Sequence, residues 1–155
     1  MTVKTRGVAF VITVYNKERY LEGTLKSILA QEGGFDREII VVDDGSTDRS
    51  RKIAEGMIGG LANGKIIQQI NSGPGVAQNT GVAAASMAVI KFVDGDDLLP
   101  PDCVLRMLPG LDLPNVAMVH GDGRLLNKLD DDISIDRLGR PPVFEVMEKT
   151  ALLFH

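Results

Sequence analysis

Cysteine is nearly absent from this sequence of 155 residues, in which Cys103 stands alone. A single cysteine excludes an intrachain disulfide and fits a reducing compartment. A catalytic thiol would need a basic partner, but neither His120 nor His155 is close to Cys103 in sequence. Packing as a small hydrophobe is therefore the favoured role for Cys103, and no Cys/His spacing typical of a zinc site occurs.

Runs of positive charge and long apolar segments are also lacking. The net charge of -4 and the pI of about 5.1 give no reason to expect a nucleic-acid partner. The longest apolar stretch, residues 82–93, is broken by Lys91 and is too short to span a bilayer. Residues 8–14 are too short for a secretory signal. The composition is that of an ordinary globular protein, and the length suits one domain covering residues 1–155.

Several signatures of nucleotide and acyl chemistry are missing. The sequence contains no P-loop, no Gly-x-Gly-x-x-Gly after the first apolar segment, and no Gly-x-Ser-x-Gly elbow. A P-loop NTPase, a dinucleotide-binding fold of the usual kind and an α/β-hydrolase are therefore disfavoured.

Short apolar segments alternate with segments of helical periodicity along the chain. We predict strands at 8–12, 38–42, 65–70, 87–93 and 116–120, with helices at 17–30, from about 48 to 57, at 76–85 and from Pro101 to Leu108. Ser46 or Thr47 is expected to cap the second helix, with Asp48 in its first turn. This order predicts an α/β fold with a mostly parallel sheet flanked by helices.

Three polar clusters follow directly after predicted strands: residues 13–16, 43–46 and 94–97. In sheets of this kind, ligands bind at the carboxyl ends of the strands. We therefore expect the three clusters to meet at one edge of the sheet.

The cluster Asp94-Gly95-Asp96-Asp97 has the chemistry of a site for a hard cation. Mg²⁺ or Mn²⁺ prefers carboxylate oxygens, completed by phosphate oxygens and water, and Gly95 would let a bulky ligand approach the backbone. The alternative is an Asp-rich turn that leads into a helix. The pair Asp43-Asp44 is similarly open between a turn and a hydrogen bond to a nucleotide base or ribose.

Taken together, the motifs resemble those of family 2 glycosyltransferases, which are inverting enzymes with the Rossmann-like GT-A fold. The resemblance covers about residues 8–122 and rests on four segments in order: 10–17, 39–48, 71–81 and 92–102. Any one segment is weak, but their common order and spacing are specific.

The resemblance implies a role for each matched residue. It places Thr13 and Tyr15 near the nucleotide base, and it gives Asp44 a contact with the base, usually uracil. The Asp-x-Asp motif implies a site for Mn²⁺ or Mg²⁺, with Asp96 as the direct ligand and Asp94 beside it. The remaining matched residues lie beside the nucleotide and sugar: Asn71, Gly75, Asn79 and Gly95. Glu18 and Asp97 also match common acidic positions, but a helix-start or turn role explains them equally well.

Two departures limit what the resemblance implies. Gln78 stands where many members carry Arg or Lys, which removes a partner for phosphate. The catalytic base of the family, an Asp in the acceptor-binding half, has no convincing match in residues 123–155. The acidic run 130–132 is predicted to form a solvated hairpin turn or loop. The apolar segment 151–155 ends the sequence abruptly. We therefore expect a truncated GT-A domain that lacks the acceptor-binding part, binds donor and transfers poorly alone.

The expected substrates are a nucleoside diphosphate sugar, a UDP-sugar in particular, and the hydroxyl of a saccharide, lipid or protein acceptor. A cytoplasmic location follows from the supply of nucleotide sugars, with membrane association through the acceptor. A non-catalytic nucleotide-sugar-binding module is the main alternative. A nucleotidyltransferase is disfavoured because it would need a Gly-rich loop with Arg or Lys after the first strand. A receiver domain fits the four-segment pattern poorly.

Overall fold

The first strand, β1 (Val8–Val14), is buried along its whole length, as its continuous apolar sequence predicts. The computed structural model describes residues 7–121, 125–126, 132–133 and 146–148. In it, β1 pairs in parallel with β2 (Arg37–Asp43) on one side and β4 (Val89–Asp94) on the other. β3 (Gly64–Gln68) pairs with β2, which gives the order β3-β2-β1-β4. The predicted α/β fold with a parallel sheet is confirmed.

Helices α1 (Leu21–Leu29), α2 (Ser50–Ile58) and α3 (Pro74–Ala84) connect these strands. Small residues bring α3 close to the sheet: a methyl group on Gly81 would lie 2.3 Å from Val11 Cγ1. One face of the sheet packs in a core cluster with α3, and its buried members are Ala9, Val11, Ile40, Val42 and Ala77. Phe10 and Ile12 alternate with these residues along β1 and are also fully buried, so the sheet is covered on both faces.

The starts of two helices differ from the prediction. α1 begins at Leu21 rather than near Lys17, and residues 18–20 form a turn before it. The amides of Lys17 and Glu18 donate to Ser50 Oγ at 2.8 Å and Asp48 Oδ2 at 3.0 Å. α2 begins at Ser50. The predicted cap by Ser46 or Thr47 is wrong. The Ser50 N–H at the start of α2 donates to Asp48 Oδ1 at 2.9 Å.

Ser46 and Thr47 contact the loop after β1 instead of capping α2. Ser46 Oγ accepts the Asn16 N–H at 3.0 Å, and Asn16 Oδ1 accepts the Thr47 N–H at 2.8 Å. Asn16 has a φ of 54°, a left-handed conformation that asparagine tolerates better than most residues. The loops that follow β1 and β2 are thus joined by their own polar groups.

The chain divides into two compact units, Met1–Asp102 and Cys103–His155. The second contains α4 (Cys103–Met107), a 3-10 helix (Leu108–Asp112) and β5 (Val116–Val119), so the helix predicted from Pro101 begins later. β5 pairs antiparallel with β8 (Val146–Glu148), and β6 (Leu125–Leu126) with β7 (Asp132–Ile133).

The acidic run 130–132 and the apolar segment 151–155 belong to the second unit. Asp130, Asp131 and residues 151–155 lie outside the described residues, whereas Asp132 is part of β7. The single domain inferred from the length stays a prediction. No helix within the described part of the chain is long and apolar enough to cross a membrane.

An ion pair between the buried Glu38 and the exposed Lys65 lies at the end of the sheet where β2 begins. Glu38 is only 4% exposed, and its Oε1 accepts a hydrogen bond from Lys65 Nζ at 2.6 Å. Its Oε2 accepts hydrogen bonds from the Ser86 amide at 2.8 Å and hydroxyl at 3.1 Å. Burial alone would raise the pKa of Glu38, but these hydrogen bonds from Lys65 and Ser86 hold it below its ordinary value.

We expect Glu38→Gln to lower the free energy of unfolding by about 1–3 kcal/mol at pH 7, because a charged acceptor of three hydrogen bonds is lost. The folded-state pKa is depressed, so this stabilisation is complete above the unfolded-state pKa and is lost as pH falls through the folded-state value. Urea unfolding at pH 7 and at about pH 3.5 measures the difference in free energy of unfolding between wild type and Glu38→Gln. The difference should be smaller in acid, since an unfolded Glu titrates at about 4.3.

Glu22→Gln provides the control, because Glu22 forms an exposed pair with Lys26 on α1. It should change stability little at either pH. Equal destabilisation by both substitutions would contradict the importance of the Glu38 contacts.

Candidate functional site

The ends of β1, β2 and β4 meet at one edge of the sheet, as the positions of the polar clusters predict. Thr13 lies opposite Asp94 in the parallel register, and its Oγ1 donates to Asp94 Oδ1 at 3.2 Å. The Gly95 amide donates to the Thr13 carbonyl at 3.0 Å, and the Asp44 amide donates to the Val14 carbonyl at 2.8 Å. The predicted meeting of the three clusters is confirmed.

A cleft of about 510 Å³ opens at this edge. Of the residues singled out from the sequence, those that line it are Thr13, Tyr15, Asp44, Asn71, Asp94 and Asp96. Gly75, Asn79 and Gly95 are not among the lining residues, whereas Val14, Lys17, Gly73, Pro74 and Ala77 are. The binding roles of all these residues stay predictions.

Gly95 packs closely against β1. It is buried, and a methyl group on its Cα would lie 3.1 Å from both the Thr13 carbonyl oxygen and Val14 Cγ2. Contacts this short would displace the end of β4 from β1. The glycine therefore keeps Asp94 and Asp96 at their positions beside the cleft.

Asp44 organises the loop that follows β3. It is 4% exposed, and its Oδ1 accepts hydrogen bonds from Gln69 Nε2 at 2.7 Å and the Ser72 amide at 2.9 Å. Its Oδ2 accepts one from the Gly73 amide at 2.9 Å. Burial would raise the pKa of Asp44, but the donors from Ser72, Gln69 and Gly73 hold it below its ordinary value. Asp44 is therefore a fixed negative charge on the wall of the cleft.

The same loop lies close to Gly45, which follows Asp44. Gly45 has a φ of 77°, and a methyl group there would lie 2.9 Å from the Asn71 amide nitrogen. A residue with a side chain would be strained by both the backbone conformation and the contact. Gly45 thus allows Asn71 to reach the cleft.

Lys17 forms an ion pair with the acidic cluster after β4. Lys17 Nζ forms an ion pair with Asp96 Oδ2, and both side chains are about one-third exposed, at 32% and 38%. Asp97 does not line the cleft, and its amide donates to the Asp94 carbonyl in a turn. Desolvation raises the pKa of Asp97, and the charges of Asp94 and Asp96 raise it further. The cluster is thus a region of concentrated negative charge.

The donor set suits a cation that a ligand helps to hold. Within the described residues there is no group of three or more His, Cys, Asp or Glu side chains arranged to bind a metal. Asp94 and Asp96 supply carboxylates, and Mg²⁺ is commonly held by one or two carboxylates together with substrate phosphates. The Lys17 ammonium on Asp96 shows that this carboxylate already attracts a positive charge. The two residues therefore fit a metal completed by a phosphate ligand, not an all-protein cage.

Lys17 is the residue that sequence reasoning overlooked. Among the lining residues it alone carries a positive charge. Gln78, which stands where many family members carry Arg or Lys, does not line the cleft. The signal was present, because Lys17 ends the first matched segment directly after the polar turn at Asn16. Only the fold places it against Asp96.

The sequence matches the family described as Glycosyl transferase family 2 over residues 9–145. This range covers most of the chain. The chain belongs to glycosyl transferase family 2. The family that the motif order predicted is thus confirmed, together with its GT-A fold.

Two relatives and one further solved structure illustrate the membership. An uncharacterized glycosyltransferase of Nostoc is 42% identical over 103 residues, which are 65% of this chain and 31% of that protein. Residues 1–349 of TarS of S. aureus, solved in complex with UDP-GlcNAc, are 30% identical with a TM-score of 0.62, and the match covers 70% of this chain and 31% of that solved chain. Mannosyltransferase PcManGT from Pyrobaculum calidifontis, solved with GDP-Man and Mn²⁺, shares the fold at 24% identity and a TM-score of 0.67, over 74% and 34% of the two chains.

This family 2 chain is shorter than the proteins it resembles. It spans about a third of the length of the curated relatives it matches: 31%, 30% and 26% for three of them. What the full-length relatives do therefore bears on this chain only as a proposal.

We expect Asp44→Asn to loosen the loop at residues 72–73, because an amide group cannot accept all three hydrogen bonds of the carboxylate. The loss should lower the free energy of unfolding by about 1–3 kcal/mol. Hydrogen exchange followed by NMR should show faster exchange of the Ser72 and Gly73 amides. The exposed Asp36, outside the cleft, provides the matched control Asp36→Asn. Unchanged protection of both amides in Asp44→Asn would contradict the assignment.

Proposed function

We propose that this chain binds the nucleoside diphosphate of a sugar donor, a UDP-sugar, in the cleft at the strand ends. The observation that carries the proposal is the meeting of Thr13, Asp44 and the Asp94–Asp96 pair in one cleft of about 510 Å³. A space of this size suits a small-molecule ligand. The UDP-GlcNAc bound by TarS supports a UDP-sugar as the donor.

The two ends of the cleft suit the two ends of a nucleotide. Tyr15 offers a ring that is 48% exposed, against which a base can stack. Asp44 and Asn71 add a charged acceptor and an amide near the loop after β3. The base is proposed to lie here, with Asp44 contacting it directly.

The diphosphate is proposed to lie toward Asp94 and Asp96. Asp96 would hold a divalent cation, Mn²⁺ or Mg²⁺, with Asp94 beside it. Such a cation neutralises the charge that develops on the departing diphosphate. Thr13 keeps Asp94 oriented through its hydroxyl, and Gly95 fixes the spacing of the two carboxylates against β1. Gly75 and Asn79, which belong to α3 and do not line the cleft, are proposed to lie beside the nucleotide and sugar.

Transfer to an acceptor is the proposed activity of the whole protein. An acceptor hydroxyl, deprotonated by a carboxylate base, would attack the anomeric carbon from the face opposite the nucleotide, which inverts its configuration. The base is proposed to belong to an acceptor-binding part outside the cleft. The acceptor itself would be a saccharide, lipid or protein, reached from the cytoplasmic side where nucleotide sugars are made.

Isothermal titration of UDP into this chain tests donor binding directly. We expect binding in the presence of Mn²⁺ and weaker binding in EDTA. Asp96→Asn should lower the affinity in Mn²⁺ by about tenfold or more, since even outer groups around a metal are worth that much. Asp97→Asn is the matched comparison and should lower the affinity less. Asp97 belongs to the same acidic cluster but does not line the cleft.

Absence of UDP binding by well-folded wild-type chain in both conditions would overturn the proposal. Equal losses for Asp96→Asn and Asp97→Asn would contradict the assignment of the cation to Asp96. An activity assay on the full-length protein would separate a transferase from a module that only binds the nucleotide sugar.

A further inference from the structure

Lys17 occupies the carboxylate that the proposed cation would need. Its Nζ contacts Asp96 Oδ2 within the cleft. A divalent cation on Asp96 would lie within a few ångströms of the ammonium, where like charges repel strongly. The two positive charges therefore compete for Asp96, and binding of a cation favours departure of the ammonium.

The backbone of Lys17 is fixed while the end of its side chain is not. Its amide donates to Ser50 Oγ at 2.8 Å, and Ser50 is fully buried. The Lys17 Cγ lies 3.3 Å from the position that a Gly95 methyl group would occupy, so the first part of the stem is held against β4. The outer part of the side chain has rotatable bonds and is partly exposed. The ammonium can thus change partner without movement of the backbone.

The other carboxylates of the cleft already accept hydrogen bonds. Asp44 already accepts three hydrogen bonds from the loop after β3, and Asp94 accepts the Thr13 hydroxyl. A bound diphosphate would bring two or more new negative charges into the same cleft. Phosphate oxygens are strong acceptors for lysine. They are the partners to which a displaced Lys17 would turn.

Resting on the proposed function, we propose that Lys17 is a counter-ion that exchanges partners. In the empty cleft it neutralises Asp96 and competes with divalent cations for that carboxylate. When a nucleoside diphosphate binds, Lys17 contacts a phosphate oxygen and leaves Asp96 to the cation. Cation and nucleotide then favour each other's binding, because each removes the obstacle that the other meets.

The substitution Lys17→Met tests this exchange, since methionine keeps much of the length of the side chain without its charge. Mn²⁺ binding without nucleotide, measured by EPR titration, should become about three- to tenfold tighter, because Asp96 loses its competitor. UDP binding in EDTA, measured by calorimetry, should become about tenfold weaker, because a charge-assisted contact is lost. Lys17→Arg should stay near wild type in both measurements.

The opposite signs distinguish the exchange from a structural role. A side chain that only stabilised the loop would weaken both ligands when replaced, and its loss would lower the melting temperature. Unchanged Mn²⁺ affinity, or weakening of both ligands in a folded variant, overturns the inference. Lys17→Gln provides a second uncharged variant if Lys17→Met does not fold. If UDP binding in EDTA is too weak to measure, the Mn²⁺ titration decides alone.

The wild-type chain separates this inference from the proposed function. If it binds no UDP with Mn²⁺, the proposed function fails and the inference fails with it. If it binds UDP and the uncharged Lys17 variants leave Mn²⁺ affinity unchanged, only the exchange of partners is wrong.

Discussion

The site depends on one constraint, the parallel register that places the end of β1 between the ends of β2 and β4. Thr13 lies opposite Val42 on one side and Asp94 on the other. A slip of one residue would turn the Thr13 hydroxyl to the opposite face of the sheet and separate it from Asp94. Pairing with a strand on each side and close packing of both faces of β1 hold this register.

The loops at this edge are stabilised by one another rather than by solvent. Polar side chains of the loop after β2 accept the amides of the loop after β1, and Asp44 accepts amides of the loop after β3. Amides that have no partner in a helix or strand are thereby satisfied. The cleft is consequently built before a ligand arrives, which lowers the entropic cost of binding.

Charge is distributed unevenly within the cleft. Asp44 is stabilised as a negative charge by neutral donors that are fixed in place, whereas Asp96 is paired with the ammonium of Lys17, at the end of a side chain with rotatable bonds. The fixed hydrogen bonds to Asp44 suit recognition of a group whose position does not change. The ion pair of Lys17 with Asp96 suits a place where ions bind and dissociate. This difference fits the proposed nucleotide, with its base near Asp44 and its diphosphate near Asp96.

The sequence by itself determined the alternation of strands and helices, the family and the edge of the sheet where the site lies. Apolar runs and strand-end polar residues are local patterns that need no knowledge of distant partners. Only the tertiary structure decided which hydrogen-bond donor pairs with which acceptor. Lys17 contacts Asp96, which is 79 positions away in sequence, and Ser46 accepts the Asn16 amide instead of capping α2. It also assigned Gly95 to packing against β1. Several partners compete for each polar group, and long-range packing selects among them.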